Sequence, residues 1–131
     1  MKNMLRFMKE IYRAYENGKP IVGPTEIARK LKISKSTAYN GLKNLASDGY
    51  GTYIEKKGFI INPNGIKLAK KIIRKHRLIE CFIADALFLS PKQACIEADK
   101  IDSIVGEEFV KALEKKYGNY TKCPCGNRIP K

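Results

Sequence analysis

The chain of 131 residues has a single histidine, thirteen acidic residues and only four cysteines. It also lacks any apolar run approaching the roughly 20 residues that a membrane-spanning helix needs. Each shortage excludes something. One histidine leaves little acid-base capacity near neutral pH, and neither a glycine-rich phosphate loop nor a paired-acid motif is present. An enzyme, such as one using a cysteine nucleophile with His76 as base, is therefore disfavoured. The start, MKNMLRFMKE, is basic but has no continuous apolar core or small-residue cleavage site, so no secretory signal is read there. A cytoplasmic protein without a membrane partner is expected. The length allows one domain or two small ones and excludes a catalytic barrel.

Basic residues are abundant: 26 Lys and Arg give a formal net charge of +13. Such an excess attracts polyanions through long-range potential and counterion release, which makes nucleic acid the leading partner. A lysine-rich surface kept for solubility or heat tolerance explains the same charge, so a motif must decide. In a reducing compartment, Cys81, Cys95, Cys123 and Cys125 point to metal ligation or apolar packing rather than to disulfides. Cys123 and Cys125 stand one residue apart, and two thiolates in so short a loop can face one metal.

Periodicity supplies the motif. Met4, Phe7, Met8, Ile11, Tyr12 and Tyr15 make one helical stripe, ended by Asn17-Gly18. A second helix starts at Pro24 with Ile27, Ala28 and Leu31 inside, and a third is capped by Ser34 with Ala38, Leu42 and Leu45 inside. The two form a helix-turn-helix. Two β-type runs, Thr52 to Glu55 and Phe59 to Ile61, flank the basic turn Lys56-Lys57-Gly58 and read as a wing. Asn62 caps a long helix from Pro63 to about Phe88, a further helix starts at Ser90-Pro91, and a last one follows Gly106. The tail TKCPCGNRIPK reads as a loop. The expected fold is thus mainly α: a winged helix-turn-helix with a small β wing over 1–63, linked by a long helix to an all-helical dimerisation and metal-binding domain over 64–131.

A helix reads DNA when one face packs and the other offers polar groups to base edges. The third helix presents Ser36, Thr37, Tyr39, Asn40, Lys43 and Asn44 opposite its apolar anchor, with Ser34 at its start. Lys56 and Lys57 supply wing cations for phosphate. An ordinary solvated face explains the helix alone, but the turn, the basic wing and the net charge together favour double-stranded DNA.

These residues resemble the metal-dependent repressors typified by the diphtheria toxin repressor and its manganese-responsive relatives. The likeness rests on Ile11-Tyr12, on Glu26-Ile27-Ala28 through Leu31, on Ser34 with Thr37 ahead of Leu45, and on Asp48-Gly49. It continues through Asn62-Pro63-Asn64-Gly65 and Arg74-Lys75-His76-Arg77-Leu78-Ile79-Glu80, and is most specific at Cys123-Pro124-Cys125-Gly126-Asn127-Arg128-Ile129-Pro130. It implies a homodimer, or dimers paired on one operator, with metal controlling affinity for a near-palindromic site, in a short form without the SH3-like domain of longer members. By the family layout one metal site takes His76, Glu80 and Cys95, where most members have a histidine at the Cys95 position, and the loop adds Cys123 and Cys125. An i, i+4 pair such as His76 and Glu80 can reach one ion. The family's second site maps onto Asp99 and Asp102, but Ser103 replaces a histidine and Arg6 and Lys9 fall where first-helix ligands belong. Cations there oppose a metal, so these four residues are expected to form an interdomain latch instead, apart from the His76 centre.

The expected function is repression of metal or iron homeostasis genes through a thiolate-rich centre. Sulfur favours Fe2+ or Zn2+, or an iron-sulfur cluster on the four cysteines, which would include Cys81. His76 as a plain helix residue and Cys81 and Cys95 as core thiols stand as alternatives. So does a constitutive DNA-binding protein whose metal only staples the fold.

Overall fold

The structure is a computed structural model that describes residues 2–131. The chain divides into two compact units, Met1–Lys70 and Lys71–Lys131. Among the described residues, no helix is long and apolar enough to cross a membrane.

In the first unit, α1 (Lys2–Glu16) buries Phe7, Met8, Ile11 and Tyr12 along one face. Full burial of a large apolar side chain contributes about 1.5–3 kcal/mol. Next come β1 (Ile21–Val22) and α2 (Pro24–Leu31), which has Pro24 in its first turn and Ile27 fully buried. Lys32 closes α2 in the left-handed region at φ 56°. Ser34 then caps α3 (Lys35–Ser47) by accepting the Thr37 N–H at 3.1 Å, and Ala38, Leu42 and Leu45 are buried as their spacing requires.

The wing is an antiparallel pair, β2 (Gly51–Ile54) and β3 (Gly58–Ile61), with Tyr53 opposite Phe59. The sheet has a third strand that periodicity did not reveal, because β1 is only two residues long; the order is β1-β3-β2. Gly58 makes that closure feasible: its φ is 130°, and a Cβ there would sit 2.5 Å from the Val22 carbonyl oxygen. Asn62 ends the sheet and caps α4 (Pro63–Leu87), accepting the Gly65 N–H at 2.9 Å and donating to the Gly49 carbonyl at 3.0 Å.

The second unit takes α4 from Lys71 onward, α5 (Pro91–Ile101), α6 (Glu107–Tyr117) and the tail. Its core joins Leu78, Ile79 and Ile83 of α4, Ala94 and Ala98 of α5, Leu113 and Tyr117 of α6, and Cys123 and Ile129 of the tail. Helix α4 stops one residue before Phe88, which takes φ 58° and is 87% exposed. The tail, expected as a plain loop, is pinned in place. Lys122 bridges Arg128, the Cys123 N–H donates to Asn127, and the Gly126 N–H turns back to Cys123. Arg77, 1% exposed, donates to the Arg128 carbonyl at 2.6 Å; Arg74 donates to the Pro130 carbonyl at 2.8 Å and forks onto Glu114. Sequence gives no periodicity for such a segment, since its order comes from helix arginines satisfying tail carbonyls.

Candidate DNA interface and metal centre

Helix α3 with its cap and the wing carry the residues expected at DNA. Ser34, Ser36, Thr37, Asn40, Lys43, Asn44, Lys56 and Lys57 are exposed, and Tyr39 is half-buried. The Ser34 hydroxyl donates to Thr37 Oγ1 at 2.8 Å, which fixes the first turn of the helix. Tyr39 and Lys43 are engaged by Glu55 of the wing, a residue to which sequence reasoning gave no role. Its charge beside the basic turn reveals exposure but not its partner.

The second unit gathers the candidate ligands. Its hub is His76, fully buried on α4, with Nε2 lying 3.1 Å from Glu80 Oε2 one helical turn away and 3.6 Å from Cys95 Sγ of α5. Glu80, 2% exposed, meets the tail through its other oxygen, where the Cys125 thiol donates at 3.6 Å. Potential ligand atoms of His76, Glu80 and Cys95 lie within 4.8 Å of one another, as do those of Glu80, Cys123 and Cys125. Glu80 belongs to both groups. Cys81 belongs to neither; its thiol is buried, donates to the Lys122 carbonyl at 3.8 Å, and is raised to about 12 by burial and by Cys123 and Glu80.

Asp99 and Asp102 also stand against this histidine. Both face Nδ1 of the same histidine, Asp102 Oδ2 at 2.9 Å and Asp99 Oδ1 at 3.4 Å, and the three form a further candidate group. The two acids expected in the latch thus also face the imidazole of His76. Helical spacing could not show this, because the pairing spans 26 positions between α4 and the end of α5. Of the basic members of that expected latch, Arg6 donates to the Leu31 carbonyl at 2.7 Å within its own unit, and Lys9 is 3% exposed.

Electrostatics follow from the crowding. Burial opposes a charged imidazole at His76, but hydrogen bonds with Asp102, Cys95 and Glu80 and the charge of Asp99 outweigh it and raise its pKa to about 10. The Cys125 thiol is pushed up to about 12 by burial and by Glu80, Cys95 and Cys123. Acids and thiols packed this closely favour a positive charge among them.

A helix-turn-helix with a wing, followed by a helical unit in which imidazole, carboxylate and thiol groups cluster, is the architecture of a DNA-binding transcriptional regulator. Residues 1–59 match the iron dependent repressor N-terminal DNA binding domain, and residues 62–131 match the iron dependent repressor metal binding and dimerisation domain. The chain belongs to the iron-dependent repressor family. It is 36% identical over 99 residues to an uncharacterized HTH-type transcriptional regulator of Methanocaldococcus jannaschii, covering 76% of this chain and 78% of that protein. It is 28% identical over 126 residues to the diphtheria toxin repressor of Corynebacterium diphtheriae, covering 95% of this chain. The match spans about half of that repressor, 54% of its length. Among solved structures, ScaR with bound Zn2+ superposes with a TM-score of 0.74 at 27% identity, over 99% of this chain and 59% of the other.

Proposed function

We propose that the protein is a homodimeric repressor whose affinity for a near-palindromic operator is set by one divalent transition-metal ion, held by His76, Glu80, Cys95 and Cys125 with Cys123 beside them. The observation that carries this reading is the meeting of two candidate ligand groups at the buried Glu80. A set of one imidazole, one carboxylate and thiols suits Zn2+ or Fe2+ better than manganese, which prefers oxygen and nitrogen. When bound, the ion supplies positive charge among groups drawn from α4, α5 and the tail.

The protein's own residues do the rest. Asp102 accepts from Nδ1 of His76 and so turns the Nε2 lone pair toward Glu80 and Cys95, the usual way a carboxylate orients a ligating histidine. Arg74 and Arg77 hold the tail so that Cys123 and Cys125 stay beside Glu80. Thr37 and Asn40 read base edges, whereas Lys56 and Lys57 contact phosphate. A second copy covers the exposed Leu87, Phe88, Leu89, Ile96 and Ile104 of the second unit, in keeping with a dimerisation domain. An iron-sulfur cluster on four cysteines has less support, because Cys81 lies outside both groups around Glu80.

The test is metal content and visible absorbance of anaerobically purified protein, wild type and Cys125→Ser, with operator binding measured before and after chelation. One colourless or faintly coloured ion per chain, reduced content in Cys125→Ser, and operator affinity that changes on chelation are expected. Brown protein with labile sulfide points to the cluster. Full metal content in the variant, or affinity indifferent to metal, refutes the proposal.

A further inference from the structure

The DNA-facing surface of this basic protein carries one acid in contact with its recognition groups. Glu55 ends the β2 side of the wing and is 60% exposed, yet both its oxygens are occupied. Tyr39 Oη donates to them at 3.1 and 3.2 Å, and Lys43 Nζ at 3.0 Å. Both donors belong to α3, one turn apart, so a wing carboxylate grips two residues of the recognition helix. An aromatic pair stiffens the grip: the Tyr39 and Tyr53 rings meet edge to face with centroids 5.3 Å apart. The Lys43 ammonium lies 5.8 Å from the Tyr39 ring centre and 5.6 Å from that of Tyr53. Glu55 is held below the ordinary carboxylate range chiefly by the Lys43 hydrogen bond, and Lys43 is raised in turn by Glu55.

We infer that Glu55 is a selectivity residue: it sequesters Lys43 and Tyr39 so that the recognition helix does not spend them on the phosphates of arbitrary DNA. With 26 basic residues, the protein meets every duplex with strong non-specific attraction. That attraction does not distinguish sequences, and a repressor is limited by the ratio of specific to non-specific affinity. A carboxylate at the interface repels phosphate and neutralises the adjacent cation. It is displaced only where base contacts made by neighbours such as Asn40 and Thr37 repay the loss. The network spans α3 and the wing within one unit, so it acts on each recognition helix separately and requires no metal.

The inference rests on the DNA-binding reading, and the experiment separates the two. Wild type, Glu55→Gln, Lys43→Met and the double variant are titrated against a short duplex of mixed sequence by fluorescence anisotropy over a salt series. Each is also titrated against the sequence that wild type enriches from a random pool. Glu55→Gln is expected to bind the mixed duplex about threefold to tenfold more tightly at ~0.1 M salt, with a log-log salt slope steeper by about one. Its ratio of enriched-site to mixed-duplex affinity should fall. At least half of the gain, on a logarithmic scale, should vanish in the Lys43→Met background. An equal gain in both backgrounds makes Glu55 a bare surface anion and overturns the sequestration; unchanged or weaker binding by Glu55→Gln overturns it as well. Wild type that shows no salt-dependent binding to any duplex refutes the DNA-binding reading itself, a different result from either. Unchanged melting temperatures across the set are expected because the cluster is solvent-exposed, and a large drop in Glu55→Gln assigns the residue to wing folding instead.

Discussion

Replacing Asp102 probes the proposed metal centre without touching a proposed ligand. The carboxylate is 4% exposed and lies 2.9 Å from Nδ1 of His76. A hydrogen bond to a charged partner contributes about 1.5–3 kcal/mol and a neutral one about 0.5–1.5. Asp102→Asn keeps size and an acceptor but removes the charge, so it should lose about 1–1.5 kcal/mol of support for a ligating imidazole, roughly tenfold in metal Kd. Asp102→Ala leaves the Nδ1–H without that acceptor and adds about 1–3 kcal/mol, for a total of at least about thirtyfold in metal Kd. Asp99 stands 3.4 Å from the same nitrogen and is 41% exposed, so it can take over part of the role. The double variant Asp99→Asn/Asp102→Asn should therefore fall below Asp102→Asn alone. The assay is competition for Zn2+ or Co2+ against a chelating dye, with melting curves to verify folding. The graded order wild type, Asn, Ala is the signature. Complete loss of binding in Asp102→Asn would make the acids ligands themselves. A change of less than about twofold in all variants would exclude His76 Nε2 as a ligand supported in this way.

Two other perturbations test the frame around the site. Phe88→Glu places a charge on a side chain that is 87% exposed, where a substitution in an isolated chain changes stability by no more than about 0.5 kcal/mol. Sedimentation should show a monomer where wild type is a dimer, and an undiminished dimer would place the interface elsewhere. Asn62→Ala removes both the cap on Gly65 and the bond to Gly49, and should cost about 1–2 kcal/mol in urea unfolding. Asn62→Asp, which keeps the acceptor for the Gly65 N–H, should recover about half of that; equal loss in both would make the cap unimportant.

Much of the fold was legible because it is local. The stripes of α1, α2 and α3, Ser34 as a cap, the helix start at Ser90-Pro91, Pro24 and Pro63 in first turns, and the wing around Lys56-Lys57-Gly58 all follow from spacings of a few residues. The pair His76 and Glu80 was legible for the same reason, and the resemblance to a known family brought Cys95, Cys123 and Cys125 to it. Strand β1 was not legible, since two residues have no period and exist as a strand only through pairing with β3. Nor was the ordered tail, whose fixed course depends on arginines of α4 that sit about fifty positions earlier.

The sequence by itself determined a basic winged helix-turn-helix followed by helices bearing a histidine, acids and thiols, because helical periodicity, caps and charge are properties of neighbours along the chain. Tertiary structure alone decided which acids face which ring nitrogen of His76, and that Glu55 holds Tyr39 and Lys43. A hydrogen bond between distant segments is set by how helices and strands pack, and packing is a property of the whole core rather than of any stretch of sequence.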